Sequence, residues 1–261
     1  MIFVRVFIIF IHILIYFSCF LLNTYIRYQL QSNKYCFLII YTIFTVLAMY
    51  FYLKTCTDPG FITNDDGVAI IQNENLFYCE ECQHYIPIRS SHCKKCKKCV
   101  LRKDHHCVYF GNCIGMKNHL FFILYLAMEI VFCSFNLKIF CFGILNNVTL
   151  KEWLLKSFLC SLFFGGSILI MIQPVILLPQ HIYLALMNKT TWENLSKGKI
   201  TYLRNWTKSF SPFSKGLIEN LKEFILMRWK TPVYSVPNDE ESLNKWKMDN
   251  SFLTNDTYEC C

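Results

Sequence analysis

The sequence has little charge for its length. Asp, Glu, Lys and Arg make up 17% of its 261 residues, whereas hydrophobic residues make up 54%. Internal repeats and low-complexity segments are also lacking. A soluble domain of this size would bury apolar residues in a core, but it would not carry them in such long unbroken runs. The scarcity of charge therefore argues against a soluble domain and favours a membrane protein.

Four apolar runs are long enough to cross a bilayer as helices. A hydrocarbon core needs about 20 consecutive apolar residues, because every backbone polar group in lipid must be bonded within the helix. No small-x-small cleavage pattern follows the first run, which is therefore predicted to be an anchor and not a signal peptide. The predicted spans are Ile2–Leu22, Tyr35–Leu53, Leu120–Leu145 and Phe158–Met187.

Lysine and arginine are distributed unevenly between these runs. The loops at residues 23–34 and 146–157 carry two each, whereas residues 54–118 carry nine and residues 188–261 carry eleven. Because basic residues are enriched in cytosolic loops, the long loop, the C-terminal tail and the N-terminus are predicted to be cytosolic. The first two spans, of roughly 19 to 21 residues, favour the thinner membrane of the endoplasmic reticulum or Golgi.

The long loop is rich in cysteine and histidine. Its CxxC pairs place two thiolates one tight turn apart, which suits tetrahedral Zn²⁺, and cytosolic thiols stay reduced, so metal binding is favoured over disulfides. The loop shows no helical period and is too polar to build a core, so we expect short hairpins that fold around metal. The candidate ligands are Cys79, Cys82, His92, Cys93, Cys96, Cys99, His105, His106, Cys107 and Cys113.

The number of candidate ligands exceeds what two metal sites need. Two closed tetrahedral sites would use eight of the ten. One cysteine and one histidine would be left over, and a thiol with an adjacent base is a minimal unit for covalent catalysis. The spacing does not indicate which two are spare, and a surplus without function is the alternative.

The predicted fold is an all-α membrane protein with four transmembrane helices and a cytosolic zinc-binding, cysteine-rich domain between the second and third helices. The domain boundaries that follow are residues 1–53 for the first two helices, 54–118 for the cysteine-rich domain, 119–187 for the last two helices and 188–261 for the tail.

Short motifs lie in this loop and beside the spans. They are Cys99-Val-Leu-Arg102-Lys-Asp104-His105-His106-Cys107, Asn112-Cys113-Ile114-Gly115, Asn118-x3-Phe122, Asp58-Pro59-Gly60, Thr190-Thr191-Trp192-Glu193 and Gly216-x3-Asn220-x3-Phe224. Together they resemble the DHHC family of protein S-acyltransferases (palmitoyltransferases), which also has four spans with a cysteine-rich loop between the second and third. One departure is Val108-Tyr109, where the family usually has Pro-Trp.

The resemblance implies which residues hold two structural zinc ions. One ion would be bound by Cys79, Cys82, His92 and Cys99, and the other by Cys93, Cys96, His106 and Cys113. The two sets interleave along the chain, so neither half of the loop would fold alone.

The resemblance also implies roles for the two spare residues. Cys107 would be the nucleophile, His105 would take the proton of its thiol, and Asp104 would orient the imidazole. Thr191 would brace Asp104 as a hydrogen-bond donor. Acyl-CoA would be the acyl donor, and an acyl-Cys107 intermediate would pass the chain to membrane-proximal cysteines of cytosol-facing protein substrates by ping-pong kinetics.

A basic cluster lies beside Cys107. Arg102 in this cluster is the candidate contact for the phosphates of coenzyme A, and the cluster as a whole is predicted to contact anionic membrane lipids. Nucleic acid is not an expected partner, because stacking aromatic residues are not interleaved with the cations. The cluster consists of Lys94, Lys95, Lys97, Lys98, Arg102 and Lys103.

Phe132 is the candidate residue for limiting the length of the acyl chain. It lies about 12 residues into the third span, or about 18 Å at 1.5 Å per residue, which is comparable to an extended palmitoyl chain. A lipid-facing position for this ring is the alternative.

Two other functions are compatible with a zinc-binding loop in a membrane protein. A RING-type ubiquitin ligase requires Cys-x-His, then Cys-x2-Cys and a final Cys-x2-Cys. Here His92 precedes Cys93 and the last pair is Cys107-x5-Cys113, so the ligand order argues against a RING. A non-catalytic zinc-binding membrane adaptor of the same fold is favoured only by Val108-Tyr109. An accessory subunit is compatible with either function, and the terminal Cys260 and Cys261 are candidates for lipidation.

Overall fold

The computed structural model describes residues 2–22, 24–63, 76–146, 150–196, 200–203, 206 and 211–235. Cys260 and Cys261 lie outside these residues. The chain forms two compact units. The helical unit comprises Met1–Lys54 and Phe121–Pro179, and the cysteine-rich unit comprises Thr55–Leu120 and Gln180–Cys261.

Four long helices are apolar enough to cross a membrane by length and composition. Their lengths are 20, 20, 27 and 29 residues, and their ends lie within two residues of the predicted spans. A shorter helix, α2 (Tyr25–Gln31), follows the first of them. The four long helices are α1 (Ile2–Leu21), α3 (Cys36–Thr55), α4 (His119–Leu145) and α5 (Phe158–Leu186). These four helices indicate a multi-pass membrane protein.

Polar side chains inside the helical unit are paired. His12 on α1 lies with Nε2 at 3.0 and 3.1 Å from the two carboxylate oxygens of Glu129 on α4. The hydroxyl of Tyr41 donates to Oδ1 of Asn136 at 2.8 Å. Such pairing is required because lipid offers no hydrogen-bond partner. Phe132 is fully buried, with its ring stacked on those of His12 at 5.1 Å and Tyr41 at 6.0 Å, so it does not face lipid.

The cysteine-rich unit contains three two-stranded antiparallel hairpins. The prediction of an all-α fold therefore holds for the spans, and the loop adds the short hairpins expected of a metal-folded segment. The hairpins pair β1 (Leu76–Cys79) with β2 (His84–Pro87), β3 (Ser91–Cys93) with β4 (Lys98–Val100), and β5 (His105–Cys107) with β6 (Asn112–Ile114).

Asn118 joins the hairpin region to the ends of the spans. Its Oδ1 accepts the backbone N–H of Gly115 at 2.9 Å, and its Nδ2 donates to the carbonyls of Thr55 and Cys113 at 2.8 and 2.9 Å. A Cβ at Gly115 would lie 2.7 Å from the carbonyl oxygen of Pro59, so only glycine fits there. These contacts fix strand β6 against the residues that follow α3.

The chain after α5 folds within the cysteine-rich unit. It forms a short helix, α6 (Thr191–Ser196), a single 3₁₀ turn over Thr201–Leu203 and a longer helix, α7 (Leu217–Leu226). Helix α6 places the Thr190-Thr191 segment next to strand β5, and this contact shapes the candidate site.

Candidate active site and metal centres

Two groups of four cysteine and histidine side chains could each hold a metal ion. In each group the ligand atoms all lie within 4.8 Å of one another. The groups are Cys79, Cys82, His92 and Cys99, and Cys93, Cys96, His106 and Cys113. Sγ of Cys82 lies 3.2 Å from Nδ1 of His92, and Sγ of Cys96 lies 3.3 Å from Nδ1 of His106. Structural zinc is bound by four thiolate or imidazole donors, so both groups offer a donor set that could hold this metal.

The alternation of side chains along β3 explains why the groups interleave. Successive residues of a strand point to opposite faces. His92 and Cys99 are cross-strand partners and belong to one group, whereas Cys93, the next residue of β3, points the other way and belongs to the second group. One hairpin thus contributes ligands to both centres, so the centres depend on each other.

The pairs Cys79–Cys82 and Cys93–Cys96 each lie in a tight turn. Gln83 and Lys97, the residues after the second cysteine of each pair, have φ near +55°, in the left-handed region. Their backbone N–H groups donate to the carbonyls of Cys79 at 2.8 Å and Cys93 at 2.7 Å. Few non-glycine residues adopt this conformation, and here it lets both thiols of a pair point to one centre.

Alternation along β5 separates a metal ligand from a reactive pair. His106 pairs across the hairpin with Cys113, and both belong to the second metal group. His105 and Cys107, one residue to either side, therefore point to the opposite face. Cys107 is buried, with 6% of its surface exposed. The structure thus leaves one histidine and one cysteine together outside both metal groups.

Asp104 holds His105 in place. The Nδ1–H of His105 donates to Oδ2 of Asp104 at 2.7 Å, and the backbone N–H of Thr191 donates to Oδ1 at 2.8 Å. Thr191 therefore contacts Asp104 through its main chain; its hydroxyl has no hydrogen-bond partner among the described residues. With Nδ1 bound to the carboxylate, Nε2 of His105 is the ring atom left to act on Cys107.

The charges of this group favour an ionised pair. Burial by itself raises the pKa of Asp104, but the surrounding imidazoles of His119, His105 and His181 lower that pKa well below its usual range. Burial likewise lowers the pKa of His105, but hydrogen bonds with Asp104 and Cys107 outweigh it and raise that pKa to about 9. A protonated imidazole next to a thiol stabilises the thiolate, which is the nucleophilic form of cysteine.

Two further histidines lie behind Asp104. Nδ1 of His181, near the end of α5, is 3.9 Å from Oδ2 of Asp104 and 3.1 Å from Nε2 of His119, at the start of α4. The ring of Phe224 on α7 meets the ring of His119 edge-on at 5.1 Å. Neither histidine was among the predicted site residues, although an ionisable residue in an apolar span is a signal for function.

The structure places Arg102 in the interior. Its side chain is 3% exposed, and Nη2 donates to Oδ1 of Asn188 at 3.2 Å and to the carbonyl of Lys189 at 3.4 Å. Little of the guanidinium is therefore open to a ligand, and the contact between Arg102 and the phosphates of coenzyme A stays a prediction. The exposed members of the basic cluster are Lys94, Lys95, Lys97 and Lys98.

A buried ion pair joins the hairpin region to the segment after α5. The guanidinium of Arg89 donates from Nε and Nη2 to the two carboxylate oxygens of Glu193 at 2.7 and 2.8 Å. It also donates to the side chain and carbonyl of Asn188 at 2.8 and 2.9 Å. Glu193 belongs to one of the sequence motifs but had no predicted role, and Arg89 was not among the predicted site residues. This pair holds Thr191 where its N–H can reach Asp104.

Comparisons with known proteins identify a family and several relatives of this chain. A model of the family described as DHHC palmitoyltransferase matches residues 72–198. Palmitoyltransferase ZDHHC12 of Mus musculus is 30% identical over 216 residues, which cover 78% of this chain and 80% of the mouse protein. Palmitoyltransferase ZDHHC12 of Homo sapiens is 34% identical over 110 residues, which cover 42% of this chain and 40% of the human protein.

A third similar protein comes from Dictyostelium discoideum. A Dictyostelium discoideum protein named as a ZDHHC-type palmitoyltransferase is 34% identical over 202 residues, covering 72% of this chain and 44% of that protein. The chain thus spans less than half the length of the Dictyostelium and human relatives that it matches.

Proposed function

The chain belongs to the DHHC palmitoyltransferase family, and on this premise we propose that it is a protein S-acyltransferase whose nucleophile is Cys107. One observation carries the proposal. Strand β5 turns His106 towards a metal group and leaves His105 and Cys107 on the opposite face, with His105 bound to Asp104. A cysteine beside an oriented imidazole is equipped for acyl transfer.

In the first half-reaction Cys107 takes the acyl group from acyl-CoA, with palmitoyl as the proposed chain. His105 accepts the thiol proton, and the resulting thiolate attacks the carbonyl carbon of the thioester. The bond between that carbon and the sulfur of coenzyme A then breaks, and the imidazolium returns its proton to the departing thiolate. Asp104 keeps the imidazole oriented and stabilises its positive charge throughout.

In the second half-reaction a cysteine of a protein substrate accepts the acyl group. His105 takes the proton of the substrate thiol, and the new thiolate attacks the thioester carbon of acyl-Cys107. The bond to the sulfur of Cys107 breaks, and Cys107 recovers a proton from the imidazolium. Since coenzyme A leaves before the protein substrate reacts, the kinetics are ping-pong.

We assign Zn²⁺ to both metal groups. Each group offers four donors, all thiolate or imidazole, which fills a tetrahedral shell and matches structural zinc sites. The ions would hold the three hairpins together, because few apolar residues of the loop are available to build a core. No step of the reaction requires them beyond the support that they give to β5.

The distribution of basic residues supports a topology with the cysteine-rich unit and both termini in the cytosol. Acyl-CoA and cytosol-facing substrate proteins would meet the site there, at cysteines close to the membrane. The short first two spans favour the endoplasmic reticulum or Golgi as the host membrane. The exposed lysines beside the site would contact anionic lipids or the phosphates of coenzyme A.

A burst experiment tests this function. Mixed with palmitoyl-CoA and no acceptor protein, the purified protein should release about one coenzyme A per chain in a fast phase, before slow turnover by hydrolysis. Cys107→Ser should abolish the burst. Cys56→Ser, which changes a cysteine outside the metal groups, should keep it. Absence of any coenzyme A release by the wild-type protein would favour the non-catalytic zinc-binding adaptor instead.

A further inference from the structure

Helix α7 has two apolar faces, and only one of them is buried among the residues that the structure describes. Asn220, Phe224 and Met227 are spaced along one face and are at most 3% exposed. The opposite face is exposed, from 39% at Ile225 to 70% at Trp229. Five large side chains form this α7 apolar face: Ile218, Leu221, Ile225, Leu226 and Trp229. An exposed apolar patch of this kind marks a surface that contacts a partner.

The buried face of α7 is fastened to the ends of two spans. Nδ2 of Asn220 donates to the carbonyl of Leu186, the last residue of α5, at 2.7 Å. The ring of Phe224 packs against His119, the first residue of α4. Both α4 and α5 are long and apolar enough to cross a bilayer. Helix α7 therefore lies beside the ends of two candidate membrane spans.

The residues around this face suit a lipid surface. Lys222 lies among the exposed apolar residues, where it pairs with Glu219, and Arg228 and Lys230 flank Trp229. Lysine and arginine can bury their aliphatic stems in the interface while their charges contact anionic headgroups. Tryptophan favours the same depth, where its ring is apolar and its indole N–H stays hydrated. Apolar residues on one face with interspersed cations are typical of helices that lie in the interface.

We propose that the α7 apolar face inserts into the interfacial layer of the bilayer that the spans cross. The helix then lies in the membrane surface, and Trp229 sits at the level between headgroups and acyl chains. This contact fastens the C-terminal part of the cysteine-rich unit to lipid as well as to the ends of α4 and α5. It is independent of acyl transfer, so it can be tested on protein that is never given acyl-CoA.

Fluorescence quenching in nanodiscs tests the proposal. The full chain, one copy per disc, is placed in phosphatidylcholine and phosphatidylserine with or without bromine atoms near the headgroup end of the acyl chains. The difference in emission between the wild-type protein and Trp229→Phe isolates Trp229. About half or more of that emission should be lost to bromine, and less when the bromines lie near the bilayer centre. Trp206, which is 4% exposed, supplies the matched control through Trp206→Phe and should be insensitive.

The other outcomes overturn the proposal. Quenching of Trp229 by aqueous iodide and not by bromine would show that the face is in water. Protection from both quenchers in single-copy discs would show that another part of this chain covers it. Protection that appears only in discs with two copies would assign the face to contact with a second chain.

Discussion

Glu193 gives the sharpest test of what holds the candidate site together. Its carboxylate and the guanidinium of Arg89 form a bidentate pair whose side chains are 5% and 0% exposed. Glu193→Gln keeps the size of the side chain but removes its negative charge, so the cation of Arg89 stays buried without a counterion. Removing one member of a buried pair costs about 3–5 kcal/mol of unfolding free energy.

The remaining contacts of Arg89 put the expected loss at the lower end of that range. Its guanidinium keeps two hydrogen bonds to Asn188 and lies over the rings of Phe213 and Tyr234, at 4.3 and 4.5 Å from their centroids. For a unit of this size, a loss of about 3 kcal/mol lowers Tm by roughly 6–12 °C. Thermal denaturation in detergent, monitored through the release of bound metal, measures this decrease in Tm.

Two further variants show whether the lost charge causes the destabilisation of Glu193→Gln. Tyr202→Phe removes only a neutral donor that lies 3.2 Å from Glu193, and it should cost about 1 kcal/mol. The double variant Arg89→Met/Glu193→Leu removes both charges and should recover much of the loss. A dominant role of charge is refuted if Glu193→Gln is no less stable than Tyr202→Phe. It is also refuted if the double variant is less stable than Glu193→Gln.

The metal groups, the helical unit and the histidine pair give three further predictions. Elemental analysis of active protein should find two zinc ions per chain, and a single ion would contradict the interleaved centres. Phe132→Ala should shift the preference towards longer acyl-CoAs in competition assays, by about 1–3 kcal/mol per methylene; an unchanged ratio would exclude the proposed role. His181→Leu should slow autoacylation by about tenfold to a hundredfold with zinc content unchanged, and a normal rate would show that His181 does not position Asp104.

The spans and the metal ligands could be predicted because their signals are local. A run of about 20 apolar residues defines a span wherever it occurs in a sequence. CxxC pairs likewise indicate a metal site through their spacing alone. The family prediction is confirmed by the matches to the DHHC palmitoyltransferase family model and to ZDHHC relatives. The assignment of His105 and Cys107 came from the resemblance, and strand alternation in β5 gives it a physical basis.

The buried network around Arg89 could not be predicted, because its signals are not local. Arg89 and Glu193 are separated by 104 residues, and neither lies in a periodic pattern. Arg89, Arg102 and Asn188 also have φ of 65°, 41° and 45°, a region that non-glycine residues seldom adopt. A basic cluster suggests solvent or ligand contact, so the burial of Arg102 was not expected from composition.

The role of Thr191 shows a second limit of sequence reasoning. The sequence predicts Thr191 as a hydrogen-bond donor to Asp104 without indicating which atom donates, and in the structure that atom is the backbone nitrogen, at 2.8 Å from Oδ1. Which atom reaches a partner depends on backbone placement, and here the Arg89–Glu193 pair sets it. Thr191→Ser or Thr191→Val would therefore leave this hydrogen bond in place.

Labelling with a clickable palmitoyl-CoA tests the central claim most directly. The account predicts that the wild-type protein and Cys56→Ser become labelled, that neutral hydroxylamine removes the label, and that folded Cys107→Ser with its full metal content takes up none. Equal, hydroxylamine-sensitive labelling of Cys107→Ser would contradict the assignment of Cys107 as the residue that carries the acyl chain.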